Sequence, residues 1–92
     1  MESKRLEGKR AVITGAAGGI AIATALEFTG RGAAVALADL DQPAVEKIAT
    51  KVSSRGGKAK AFVTDVTSRK AVESLMSGAD AFMGGIDILV TC

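Results

Sequence analysis

Four short apolar runs, residues 11–13, 34–38, 59–64 and 86–90, alternate with three longer stretches of helical periodicity, and this alternation excludes most ways of folding the chain. A strand that reaches the next strand through one helix returns to the same edge, so the strands run parallel and both sheet faces must be covered. Right-handed crossovers place the first two helices on one face and, once the sheet has reversed its direction of growth, the third helix on the other. The spacing predicts a doubly wound α/β sheet of strand order 3-2-1-4, truncated after the fourth strand. A cleft should open above the reversal between the first and fourth strands.

Local punctuation agrees with this reading. The first helix is expected from Gly19 to about residue 31, closed by Gly30 or Gly32. Asp41-Gln42-Pro43 offers a polar cap and a proline that a first turn tolerates, so the second helix runs to about Ser54, before Arg55-Gly56-Gly57. The third begins near Thr67 or Ser68 and fades by Gly84-Gly85.

The hydrophobic fraction is 48% but aromatics are only 3%, namely Phe28, Phe62 and Phe82, so the core must be built from Ala, Val, Ile and Leu. With 92 residues the chain makes one partial domain, residues 1–92, with residues 1–9 expected as a flexible tail. Lys4, Arg5, Lys9 and Arg10 cluster there and contribute to the net charge of +2. The remaining charges alternate in sign and there is no Tyr or Trp for base stacking, which argues against nucleic acid as a partner. Residues 11–26 are uncharged but glycine-rich, and shorter than the roughly 20 apolar residues of a membrane span. A secretory signal would begin closer to the start, with its apolar stretch behind a basic end. One cysteine, Cys92, excludes an internal disulfide. A reducing compartment, the cytoplasm, is the expected location.

Thr14-Gly15-Ala16-Ala17-Gly18-Gly19-Ile20-Ala21 lies between a buried strand and a helix, and this placement carries more information than the glycines themselves. A pyrophosphate can approach main-chain N–H groups only where no Cβ intervenes, as at Gly15 and Gly19. The helix that follows points its free N–H groups and about half a positive charge at such an anion. Ala21 should face the strand below, where a small side chain allows close packing. No phosphate-loop sequence ending in Gly-Lys-Ser/Thr is present.

This loop resembles the T-G-x-x-x-G-x-G signature of the short-chain dehydrogenase/reductase family. Further matches follow in order: Asp39 ending the second strand, Asp65-Val66 after the third, and Ile86-Asp87-Ile88-Leu89-Val90 leading into the fourth. The resemblance implies a Rossmann-type dinucleotide-binding fold and an oxidoreductase that moves hydride between nicotinamide and an alcohol or carbonyl substrate. It also implies a cofactor site made from Thr14, Gly15, Ala17, Gly18, Gly19, Ile20, Asp39, Leu40, Asp65, Val66 and Thr91. Ala21 stands in place of the usual third glycine, and Thr91-Cys92 in place of Asn-Asn-Ala-Gly.

By the same resemblance Asp39, 24 positions after Gly15, accepts from the adenosine ribose hydroxyls, and a carboxylate there selects NAD. The 2′-phosphate of NADP would bring about two negative charges within ~4 Å, a repulsion on the order of several kcal/mol. The positions where NADP-preferring relatives carry a base are Gly18 and Leu40 here. The bland reading of Asp39 is a solvated acid that helps Asp41 to cap a helix. Asp65 divides evenly between a cofactor role and a helix cap, with Val66 as packing for the adenine. The family's catalytic Ser and Tyr-x-x-x-Lys lie well beyond the fourth strand, and the chain has no Tyr, so no catalytic or metal-ligating residue is assigned. The rival reading is a truncated, inactive nucleotide-binding or protein-interaction fragment. The uncovered fourth strand is expected to favour self-association.

Overall fold

The structure, a computed structural model, describes residues 5–92. The elements are β1 (Arg10–Thr14), α1 (Gly19–Gly30), β2 (Ala34–Asp39), α2 (Gln42–Ser54), β3 (Lys58–Val63), α3 (Arg69–Met83) and β4 (Ile88–Thr91). All pairings are parallel and the order is β3-β2-β1-β4, the doubly wound Rossmann-type sheet expected from the sequence.

Strand parity divides the core. Ala11, Ile13, Val35 and Leu37 point to one face, where Ala21 and Ala25 of α1 and Val45, Ile48 and Val52 of α2 cover them. Val12, Ala36 and Ala38 point to the other, against Leu75, Ala79 and Met83 of α3. Residues 11–13 have no exposed surface, because β1 is flanked by strands on both sides and helices on both faces. Ala21 is fully buried, as its small side chain predicts.

The helix ends are chemically distinct. The Asp41 carboxylate caps α2 by accepting from the Ala44 N–H at 3.1 Å, and the Ser68 hydroxyl caps α3 by accepting from the Ala71 N–H at 3.2 Å. Gly18 precedes α1 and brings no side-chain cap.

One expectation changes. A strand starting at residue 86 is corrected to one starting at Ile88. Regular pleating would put Ile86, Ile88 and Val90 on one face, yet Ile86 packs with α3 while Ile88 and Val90 pack with α1 and α2. The chain reorients at Asp87, whose carboxylate Oδ2 accepts from the Arg10 backbone N–H at 2.9 Å and from its Nε at 2.8 Å. Arg10 Nη1 also donates to the Gly84 carbonyl at 2.6 Å, and the Asp87 N–H donates back to the Arg10 carbonyl at 2.8 Å. Arg10 thus belongs to the sheet and clamps the α3–β4 connection.

The basic N-terminal residues, expected as a flexible tail over 1–9, are described from residue 5 onward. Residues 1–4 lie outside the described residues, but the Leu6 N–H donates to the Arg31 carbonyl at 3.0 Å and the Lys9 N–H to the Leu6 carbonyl at 2.9 Å. Residues 5–9 are therefore docked on the α1–β2 turn. Glu7 passes so close to Gly32 that a Cβ there would lie 2.8 Å from its Cα.

The Arg10 side chain, by hydrogen bonding, holds the Asp87 carboxyl below the usual carboxylate range, against a smaller opposing effect of burial. A carboxyl whose pKa is lowered on folding stabilises above its unfolded pKa, and that contribution is lost as pH falls through the folded value. Asp87→Asn should therefore lower the urea midpoint at neutral pH, with the difference from wild type narrowing below about pH 4. Equal midpoints at neutral pH would show that the clamp does not contribute.

Candidate functional site

The carboxyl ends of the four strands converge where β1 gives way to its loop, at the reversal between β1 and β4. Gly15 makes the turn with φ +68°, a left-handed conformation that favours glycine. A Cβ on Gly15 would also lie 2.6 Å from the Cys92 carbonyl oxygen, so the end of β4 can sit beside the loop only because none is there. Ala16 then buries its methyl and donates its N–H to the Ala38 carbonyl at 3.0 Å, tying the loop to β2.

Gly18 and Gly19 differ from Gly15. Neither has positive φ; a Cβ on Gly19 would meet nothing within 4 Å, and one on Gly18 only the Gly15 carbonyl at 3.6 Å. The fold makes no demand for glycine at these two places. The sequence reading assigns Gly15 and Gly19 one common task, and the structure separates them: Gly15 is required by the chain itself, Gly19 by nothing within it. The Ile22 N–H closes the first α1 turn onto the Gly18 carbonyl at 3.0 Å. The N–H groups of Gly19, Ile20 and Ala21 are those that a helix leaves without an intrahelical partner. No side chain caps them and no acid lies in the first turn, an arrangement that suits a negatively charged group.

Two clefts meet at Gly15. One, of about 150 Å³, is lined by Gly15, Asp39, Leu40, Thr64, Asp65, Val66 and Thr67. The other, of about 480 Å³, lies between the start of α1 and the end of β4 and is lined by Gly15, Gly18, Gly19, Ile20, Ala21, Thr91 and Cys92. Three apolar side chains at these clefts are largely open to solvent: Ile20 is 78% exposed, Leu40 65% and Val66 54%.

Of the sequence-predicted residues, Gly15, Gly18, Gly19, Ile20, Asp39, Leu40, Asp65, Val66 and Thr91 line one cleft or the other. Thr14 and Ala17 line neither of these two. Thr14 pairs with Thr91 across the sheet and its hydroxyl reaches only the Val90 carbonyl, at 3.5 Å. Ala17 donates its N–H to Asp39 Oδ2 at 3.2 Å.

Asp65 accepts from both the Thr67 hydroxyl, at 2.6 Å, and the Thr67 N–H, at 2.9 Å. These bonds, the hydroxyl first, hold its carboxyl below the usual carboxylate range. Asp65 thus shapes the turn before α3, while the helix cap itself is Ser68. Motif spacing does not single out Thr64, Thr67 or Cys92. Thr64 could be found from its place one residue past β3, beside Asp39, whose carbonyl accepts its N–H at 2.9 Å.

A further cleft of about 450 Å³ lies at the opposite, amino ends of the strands, lined in part by Lys9, Arg10, Gly32, Gly57 and Lys58. Two of its cations are engaged: Arg10 pairs with Asp87, and the Lys58 ammonium lies 5.1 Å from the Phe82 ring centre. Helices end there, and their terminal carbonyls disfavour anions.

Residues 9–92 match the short chain dehydrogenase family. The chain belongs to that family. Among its relatives, 2,3-dihydro-2,3-dihydroxybenzoate dehydrogenase of Bacillus subtilis is 39% identical over 90 residues, which is 98% of this chain and 34% of that protein. The crystal structure of hydroxysteroid dehydrogenase from Escherichia coli superposes with a TM-score of 0.92 at 36% identity, over 96% of this chain and 37% of that one. NAD+-bound xylitol dehydrogenase superposes with a TM-score of 0.88 at 39% identity, over 92% of this chain and 33% of that one. The chain thus spans about a third or less of the length of its curated family relatives.

The two glycines should respond differently to a single methyl. Gly15→Ala forces a left-handed alanine into the Cys92 carbonyl and should cost about 1–3 kcal/mol. Gly19→Ala enters open space in a helix and should be neutral or stabilising by up to about 1 kcal/mol. Urea unfolding of the two variants checks the contrast; equal losses would place both glycines in the fold's own requirements.

Proposed function

We propose that these residues are the NAD(H)-binding portion of a short-chain dehydrogenase/reductase that transfers hydride between nicotinamide and an alcohol or carbonyl substrate. The observation that carries this reading is the uncapped start of α1 beside Gly19, where a Cβ would meet nothing, between two clefts that share Gly15. NAD bound in a relative of similar fold supports the choice of ligand.

In this reading the N–H groups of Gly19, Ile20 and Ala21 hold the pyrophosphate. Asp39 accepts from the adenosine ribose hydroxyls, Leu40 and Val66 pack on the adenine, and Asp65 bounds the far side of that cleft. Ile20 and Thr91 flank the nicotinamide half. Bound NAD supplies the hydride acceptor or donor; the chain's own residues bind and orient it. Asp39 disfavours the 2′-phosphate of NADP, and neither Gly18 nor Leu40 offers a base to relieve the repulsion. Proton transfer to or from the substrate falls to groups other than these residues, among which there is no Tyr.

Calorimetric titration with NAD tests the reading. Gly19→Val should weaken NAD by about 100-fold or more, which is ~2.7 kcal/mol, with an unchanged circular dichroism spectrum. Wild-type affinity in that variant would exclude the α1 start as the phosphate site. Asp39→Ala should weaken NAD and narrow the preference over NADP by about tenfold; an unchanged ratio would remove Asp39 from the ribose site.

The 92 residues alone should form no NADH with any member of an alcohol panel. Turnover would show that the chemistry is carried without a Tyr.

A further inference from the structure

The Asp39 carboxylate makes contacts that ribose recognition does not require. Its Oδ2 accepts from the Ala17 N–H at 3.2 Å and its Oδ1 from the Asp41 N–H at 3.0 Å. Ala17 lies in the middle of the glycine loop, two residues after the left-handed turn at Gly15 and just before the uncapped Gly18. The backbone bond from Ala16 to the Ala38 carbonyl, at 3.0 Å, anchors the loop on its strand side. On its helix side the Gly18 N–H has only the longer bond, 3.2 Å, to the Gly15 carbonyl. Between them, the bond from Ala17 to Asp39 joins the loop to a side chain 22 residues away in sequence. A hydrogen bond to an ionised acceptor is about twice as strong as a neutral one.

We propose that Asp39 is a positioning residue for the phosphate loop: through the Ala17 N–H its carboxylate fixes the loop so that the free N–H groups of α1 face a diphosphate. The proposal rests on the nucleotide-binding reading and extends it, because one residue then serves both the ribose and the phosphate subsites. The Asp41 N–H holds the other oxygen, so the carboxylate is tied at both ends and transmits the position of the end of β2 to the loop. The charge is also partly balanced by two backbone dipoles, which lowers its repulsion of an incoming anion.

The two roles predict opposite signs for a ligand that has the diphosphate but no ribose hydroxyls. If Asp39 serves only the ribose, Asp39→Ala removes a nearby negative charge, and 2′,3′-dideoxyadenosine diphosphate binds equally well or better. If Asp39 positions the loop, the same ligand binds more weakly despite the lost repulsion.

The test is calorimetric titration of the full chain and its Asp39→Ala and Asp39→Asn variants with ADP and with the dideoxy analogue, alongside amide exchange at Ala17. Asp39→Ala should weaken the dideoxy analogue by about fivefold to tenfold, the size of one lost hydrogen bond. Asp39→Asn keeps one acceptor oxygen and sets a donating amide against the other N–H, so it should recover at most part of that loss. In wild type, the Ala17 amide should exchange more slowly than that of Gly19. Unchanged or tighter binding of the analogue to Asp39→Ala overturns the positioning role and leaves the ribose role standing. Should Asp39→Ala not fold, equal exchange at Ala17 and Gly19 in wild type overturns it instead. Absence of ADP binding to the wild type removes the nucleotide reading itself.

Discussion

The left-handed turn at Gly15 is the constraint on which the rest of the site depends. β1 is wholly enclosed, so the chain can leave it only at its carboxyl end, and the first residue out has φ +68°. The Cys92 carbonyl occupies the space that any side chain on Gly15 would need. Two consequences follow from one missing methyl. The loop can turn toward β2, where Ala16 and Ala17 find acceptors, and the end of β4 can stay paired to Thr14, through the Cys92 N–H to its carbonyl at 3.2 Å. Both clefts have Gly15 in their walls because both elements were brought there by the same turn.

The two ends of the sheet are electrostatically unlike. At the carboxyl end an uncapped helix start lies near the Asp39 carboxylate, held by two N–H groups. At the amino end Arg10 is held on Asp87 and on the Gly84 carbonyl. α2 and α3 each satisfy their first turn with a side chain from the preceding residue. The one helix start left without such a partner follows the loop whose Gly18 and Gly19 have no internal reason to be glycine. Those two facts are independent, since capping concerns donors and the glycines concern space, and they coincide at one place.

The architecture was legible because alternation of strand and helix constrains topology more tightly than it constrains residue positions. Strand order, the faces of the helices and the cap at Asp41 all follow from period and punctuation. What stayed illegible depends on contacts distant in sequence. Ile86, Ile88 and Val90 have the spacing of one continuous strand, and only the Arg10–Asp87 pair, 77 residues apart, turns Ile86 to the other face. The same limit applies to the glycines. Their spacing matches the family signature, but which of them the fold needs depends on the position of Cys92. Asp65 could not be resolved from its neighbours because Thr67 and Ser68 are both competent turn and cap formers; the structure gives the turn to Asp65 and the cap to Ser68.

Exposed apolar side chains need the same separation of causes. Leu89 is 54% exposed, yet across the sheet it pairs with Val12, which is fully buried beneath α3. Its exposure is a matter of coverage, because among the described residues α3 is the one helix on that face, and β4 is the edge strand. Ile20, Leu40 and Val66 have a different setting: each directly follows another cleft-lining residue, Gly19, Asp39 or Asp65. Scattered apolar residues on a surface carry little meaning, but these three line the two clefts that share Gly15. Together with the uncapped helix start they describe a surface with apolar side chains at both flanks and free N–H groups between them. An extended ligand with flat apolar groups joined by phosphates has that pattern, and a small inorganic anion, which would use only the middle, does not.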